Sequence, residues 1–157
     1  MPLPKLKADT RADAAQAPAD RAYVLEEQIG HLLRRAHQRA TALFLEVMDE
    51  LELTPTQYAA LVKIADMGEI SQNHLGRLTA MDPATSQGVI RRLEAHGLIA
   101  LRADPDDRRR TLLSLSGAGR RLLPAAIARG REITEGTLAP LDPEERAAFL
   151  ALLKKLT

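Results

Sequence analysis

From Arg21 to Leu53, apolar residues recur at steps of three and four: Ile29, Leu32, Leu33, Ala36, Ala40, Leu43, Phe44, Val47 and Leu51. That spacing lays one apolar stripe along a long helix. The stripe is longer than one short neighbour can cover, so the helix is expected to pack against several elements or a second subunit. The next stretch, LELTPTQYAALVKIADMG, carries its own punctuation. Thr54 reads as an N-cap, Pro55 as the first helical residue and Gln57 as the partner in a capping box. Tyr58, Leu61, Val62 and Ala65 mark the expected buried face, and Gly68 the stop.

The pattern then shortens. Two helices are predicted, over Ser71–Thr79 and Pro83–His96. Ser71 can cap the first, with Leu75 and Leu78 inward. Asp82 and Pro83 open the second by cap-then-proline logic, with Val89, Ile90 and Leu93 inward and Gly97 as the stop. Two short apolar runs, Leu98–Leu101 and Thr111–Leu115, flank the charged tip ADPDDRRRT, where Pro105 and the aspartates favour a turn. This is a helix-turn-helix followed by a β-hairpin wing, the geometry that puts one helix into a DNA major groove.

Beyond it, Ser116 caps a second long helix containing Pro124, Gly130 and Gly136. Proline and glycine are poor interior residues, so a kink or break is expected near Pro124 and a weak end near Gly136. Asp142, Pro143, Glu144 and Glu145 start the last helix. Ala148, Phe149, Leu152, Leu153 and Leu156 form its apolar side, and Lys154 and Lys155 suit its C-terminus. The terminal helical regions carry more apolar surface than a minimal winged helix buries, which predicts a dimer interface. Two reading heads would then meet half-sites about one duplex turn apart, roughly 34 Å. The expected fold class is mainly α with a small β-wing. A winged helix-turn-helix lobe (54–115) sits inside a single domain (21–157). Helices of 21–53 and 116–157 form a dimerisation lobe, and residues 1–20 read as a disordered arm.

Composition narrows the chemistry. Aromatic residues are 3% of 157 and Trp is absent, so the core must be built from Leu, Ile, Val and Ala. The net charge of +1 means that a DNA binder must segregate its charge locally. The lack of cysteine excludes disulfides, thiolate metal sites and cysteine redox chemistry. No apolar run approaches the roughly 18 residues of a membrane span. Lys5 and Lys7 are not followed by the apolar stretch of a signal peptide, so a cytoplasmic protein without a membrane partner is expected. With no glycine-rich phosphate loop, nucleophile elbow or metal-ligand cluster, neither an enzyme nor a cofactor or metal is expected.

The residues expected to meet DNA follow from these elements. Ser71, Gln72 and Asn73 open the first short helix. Thr85, Ser86, Gln87, Arg91 and Arg92 lie away from the apolar side of the second and can bond base edges or phosphates, while Gly88 lets a backbone come close. Arg108, Arg109 and Arg110 concentrate positive charge on the wing tip, suited to the narrow minor groove, and Asp107 is expected to pair with one of them and position it. A solvated helix face or a charged hairpin tip has the same composition. The two in succession favour DNA over the rival reading, a winged-helix module that binds protein without reading sequence.

These motifs resemble the MarR family of transcriptional regulators. LELTPTQYAALVKI is similar to the family's second-helix signature, SQNHLGRLTAMDPATSQGVIRRLEAHGLI to its helix-turn-helix, and RADPDDRRRTLLSLSGAGRRLL to its wing and the start of its fifth helix. The wing, with Asp107, Arg109 and the run Leu115–Gly119, is the most specific part. The resemblance covers about residues 25–156, with the interrupted fifth helix as a departure. It implies a homodimeric repressor on a pseudo-palindromic operator, released by a small organic, often aromatic, acid. It also makes Arg35 a candidate for the acid's carboxylate. His31 and Arg35 are four apart and share a helix face, though a solvated pair fits as well. His37, Tyr58 and Met67 are further candidates for the effector site. His31 and His37 stand about 120° apart around a helix and do not form a compact metal pair.

Overall fold

Residues 23–107 and 109–157 are described by a computed structural model; the arm expected over 1–20 lies outside the described residues. The helix expected over 21–53 is shorter and comes in pieces. A 3-10 turn (Leu25–Glu27) precedes α1 (Ile29–Met48), and a second 3-10 turn (Asp49–Leu51) follows it. Gln28 is extended, with ψ 131°, and Glu52 adopts the left-handed region at φ 50°. The described residues before Gln28 are all exposed, so no packing holds them in the helix.

Capping decides the next boundary. In α2 (Pro55–Met67) the Thr54 hydroxyl accepts from the Gln57 N–H at 3.3 Å, and the Gln57 side chain accepts from the Thr54 N–H at 2.8 Å. The buried arc is rotated from the expected one: Gln57, Ala60, Leu61 and Ile64 are buried, while Tyr58, Val62 and Ala65 are half-buried. The shift reflects neighbours on two sides, because α2 lies against both α5 and the helix-turn-helix.

The chain then enters a strand absent from the sequence-based expectation, β1 (Glu69–Ser71). It continues through α3 (Gln72–Leu78), α4 (Pro83–Ala95), β2 (Ile99–Ala103) and β3 (Thr111–Leu115). The strands form an antiparallel sheet in the order β1-β3-β2, with Ile70 opposite Leu113 and Ile99 opposite Leu115. Those four side chains are buried and join Leu61, Ile64, Leu75, Val89, Ile90, Leu93 and Ala126 in one core. Leu78, expected inward, is exposed because α3 lasts only two turns and turns its last residue away from that core.

Helix α5 (Gly117–Leu138) runs on through Pro124, so the expected break is absent. Proline forgoes one hydrogen bond, and Pro124 is exposed, where that loss is least costly. The helix does end near Gly136, at Leu138, where the Ala139 N–H makes only a long 3.5 Å bond back to the Gly136 carbonyl. Two other glycines serve close approach: a Cβ at Gly130 would overlap the Tyr58 hydroxyl, and one at Gly119 the Leu98 carbonyl oxygen. Arg39 on α1 donates to the Gly136 carbonyl at 3.0 Å. A second, smaller core of Phe44, Met48 and Ile133 lies between α1 and α5.

Helix α6 (Pro143–Leu153) begins as expected, with Asp142 accepting from the N–H groups of Glu144 and Glu145. Its apolar side is not covered: Leu152 is 60% exposed, and Phe149, Leu150 and Leu156 are also exposed. The first half of α1 is alike, with Ile29 63% exposed beside exposed Leu32 and Leu33.

Candidate nucleic-acid interface

The turn between α3 and α4 is fixed by small residues and caps. Ser71 accepts from the His74 N–H at 3.4 Å and so caps α3. Ala80 takes the left-handed conformation at φ 52°, and the Met81 N–H returns to the Gly76 carbonyl at 2.9 Å. A Cβ on Gly76 would stand 3.3 Å from the Met81 carbonyl oxygen, so a small residue is needed where the helices cross. Asp82 then caps α4, accepting from the Thr85 N–H at 2.9 Å and the Thr85 hydroxyl at 2.6 Å. The Thr85 hydroxyl, with the backbone N–H bonds, holds the Asp82 carboxyl below its ordinary pKa.

One expected DNA contact is overturned. Ser86 is 1% exposed and packs beside Gly76, with no hydrogen-bond partner for its hydroxyl among the described residues. It belongs to the α3–α4 crossing. The helical step explains this, because Ser86, Val89, Ile90 and Leu93 share one face of α4 and all four are buried. The other expected residues of α4 (Thr85, Gln87, Arg91 and Arg92) are exposed. The Arg92 guanidinium lies back over Gly88, about 3.6 Å from where a Cβ would stand, an ordinary contact distance.

The wing tip is tied down by its aspartates. Asp104, 7% exposed, accepts from the Asp106 N–H at 3.0 Å and lies 3.6 Å from Arg110 Nε. Among the described residues, Asp107 pairs with neither the Arg109 nor the Arg110 side chain. Its carboxylate accepts from the backbone N–H of Arg109 at 3.0 Å, and its carbonyl from that of Arg110 at 2.8 Å. A carboxylate two residues before an N–H closes a local turn more readily than it reaches a long, solvated guanidinium. The Arg109 guanidinium has no partner among the described residues. Arg108 lies outside the described residues.

The first turn of α3 and the wing face one another across a cleft of about 380 Å³. Ser71, Gln72, Asn73, Arg77, Arg109, Arg110 and Thr111 line it. Three guanidiniums, two amides and two hydroxyls thus meet with no carboxylate in the lining, a composition suited to phosphate oxygens. Arg77 and Thr111 were not anticipated. Arg77 stands one helical turn after Asn73, which the 3.6-residue repeat makes visible.

The residues expected to hold an effector are dispersed. His31 Nδ1 lies 3.4 Å from Arg34, not Arg35, and Arg35, His37 and Met67 are exposed. Tyr58 packs edge-on against Phe44 with ring centroids 5.9 Å apart. A groove of about 310 Å³ between α2, β3 and α5 is lined instead by Ile64, Ala65, Gly68, Leu115, Arg120 and Leu123. Among the described residues, no group of three or more His, Asp or Glu could hold a metal ion, and no helix is long and apolar enough to cross a membrane.

Residues 51–110 match the family model described as MarR family. Over 143 residues, the chain is 41% identical to the HTH-type transcriptional repressor NicR of Pseudomonas putida, with 90% of each chain covered. It is 51% identical to a probable transcriptional regulator from Pseudomonas aeruginosa, with a TM-score of 0.83 over 85% of this chain and 100% of that one. It is also 41% identical to BpsR of Bordetella bronchiseptica, with a TM-score of 0.82 over 85% and 96% of the two chains. The DNA binding of BpsR is regulated by 6-hydroxynicotinic acid.

Proposed function

The chain belongs to the MarR family of transcriptional regulators, and from that premise we propose that it is a homodimeric repressor released from its operator by a small aromatic acid. The observation that carries the DNA half of this reading is the carboxylate-free cleft between α3 and the wing. Ser71, Gln72, Asn73, Arg77 and Arg110 grip the phosphate backbone there. From α4, Thr85, Gln87, Arg91 and Arg92 reach base edges and flanking phosphates in the major groove. Arg109, held forward by the Asp107 turn and free of a partner among the described residues, enters the adjacent minor groove. Arg108 joins it there. The protein works in the cytoplasm and catalyses no reaction.

Dimerisation follows from the uncovered faces of α1 and α6. Pairing them buries apolar side chains that water now touches, each worth about 1.5–3 kcal/mol when fully covered. It also fixes the distance between the two α4 helices, which the operator reads as half-site spacing.

The effector half is supported by the BpsR relative and by Arg120, whose Nη1 donates to the Leu115 carbonyl at 2.7 Å at the edge of a groove. Arg120 borders an apolar groove whose walls, Ile64, Leu115 and Leu123, suit an aromatic ring; Arg35 is exposed on α1. An acid that binds one spacing of the heads better by about 1–3 kcal/mol changes DNA affinity roughly 5- to 150-fold.

A duplex-binding titration tests the whole reading. Binding should fall steeply with salt and prefer one duplex over random sequence. An aromatic acid such as 6-hydroxynicotinic acid should then release the DNA. Arg109→Ala should weaken operator binding by about 1–3 kcal/mol while the dimer persists. Arg120→Ala or Arg35→Ala should blunt release without abolishing DNA binding. Duplex binding that is insensitive to both salt and sequence would overturn the function.

A further inference from the structure

The wing is joined to the helix-turn-helix by β1. Ser71 is both the last residue of β1 and the cap of α3, so the tilt of the sheet is passed directly to that helix. The wing tip hangs instead from β2 and β3, and β1 never touches β2, because β3 lies between them. Ladder hydrogen bonds fix neighbours in register but leave a narrow sheet free to twist and coil.

The outer face of the sheet carries one cross-link. Arg102 on β2 and Ser71 on β1 both lie opposite Leu112, and Glu69 lies opposite Ser114. Paired residues share a face, so Arg102 and Glu69 are on the solvent side, with Ile70 and Leu113 on the core side. Arg102 reaches over the central strand, its Nε donating to Glu69 Oε1 at 2.7 Å and its Nη2 to Oε2 at 2.6 Å. This side-on bidentate pair holds the Glu69 carboxyl below its ordinary pKa. Water screens an exposed pair, which makes it a weak source of stability. Two parallel charge-assisted bonds nevertheless fix a direction. The pair also sits at the base of the tip, since the next residue, Ala103, lies opposite Thr111, which lines the cleft with Arg109 and Arg110.

We propose that the Glu69–Arg102 pair is a brace that positions the wing: it sets the width of the cleft between Arg77 on α3 and Arg109 and Arg110 on the wing. The inference rests on the DNA-binding reading above. Glu69 then favours DNA binding even though its charge alone repels DNA. Neither residue touches the duplex; both act through Arg109.

The experiment measures binding by the full-length dimer to a duplex selected with the unaltered protein, and to random duplex. Its variants are Glu69→Gln, Arg102→Gln and the charge-swapped pair Glu69→Arg with Arg102→Glu, each with and without Arg109→Ala. Glu69→Gln is expected to weaken selected-duplex binding about threefold to tenfold, with thermal unfolding unchanged, and to have no effect once Arg109 is removed. Random-duplex binding should stay level or tighten. The charge swap, which rebuilds the pair at constant net charge, should recover most of the lost affinity. Unchanged or tighter selected binding by Glu69→Gln would overturn the brace, as would a loss that persists without Arg109. A swap as weak as Arg102→Gln, with a shallower salt dependence than the unaltered protein, would make Arg102 a phosphate contact and overturn it too. Failure of the unaltered protein to prefer any duplex would overturn the DNA-binding reading and the brace with it.

Discussion

Leu93 in α4 is sealed from water, whereas Leu152 in α6 is 60% exposed, although both belong to apolar faces at helical spacing. The difference runs through the whole molecule. The reading head closes its core on itself, with helices, sheet and the start of α5 all contributing. The first half of α1 and all of α6 leave theirs open. Periodicity alone reports that a face is apolar. Whether that face is filled from within the chain or by a second copy depends on what the fold brings opposite it. The reading head is therefore expected to owe its stability to its own packing, and the terminal helices to assembly.

The largest effect should come from charging the open faces. Leu33→Glu with Leu152→Glu is expected to yield monomers in sedimentation, with each reading head still folded. Operator affinity should fall by roughly 10²- to 10⁴-fold, the loss of linking two weak half-site contacts. Persistence of the dimer would place its interface elsewhere. Leu93→Ala tests the closed core: urea unfolding should show a loss of about 2–5 kcal/mol. That loss should come without the added concentration dependence that a weakened dimer brings.

The seam between the two regions gives a smaller effect. Gly130→Ala on α5 drives a methyl group into the Tyr58 hydroxyl on α2. The expected cost is about 1–3 kcal/mol, reduced when Tyr58→Phe removes the hydroxyl. A neutral Gly130→Ala would mean that the seam yields freely.

Acid gives the smallest effect, confined to the reading head. The Asp82 carboxyl is held below its ordinary pKa by Thr85. Its contribution is therefore complete above the ordinary carboxylate range and is lost as the pH falls through the lower folded value. Thr85→Val should shrink that acid-dependent loss in a pH series of thermal unfolding, because it removes the hydroxyl donor. An unchanged pH profile would mean that the hydroxyl does not anchor the cap.

Local chemistry was legible in the sequence. Thr54, Ser71, Asp82 and Ser116 all cap the helices they were expected to cap, and Asp142 starts the last helix as expected, since a cap and its N–H lie within three residues. Features that depend on distant partners were not. Strand β1 is three residues long and exists through β3, far along the chain. Pro124 does not break α5, because α1 and α2 pack along it. In the candidate site, Gln72, Asn73 and Arg109 were expected on chemical type, and the structure places them on one cleft. Ser86 was misplaced by that same reliance on type, although its helical step already aligned it with Val89 and Leu93. Arg102 shows nothing of its role in the sequence, since Glu69 meets it only across a folded sheet.

The short strand β1 also orders events in time. Ile70 and Leu113 face each other across the sheet, yet the ribosome releases one long before the other. Until Thr111–Leu115 has emerged, a nascent chain can form α2, α3 and α4 but has nothing to seal Ile70. The DNA-reading unit is thus completed late in synthesis, by the closing of a long-range contact.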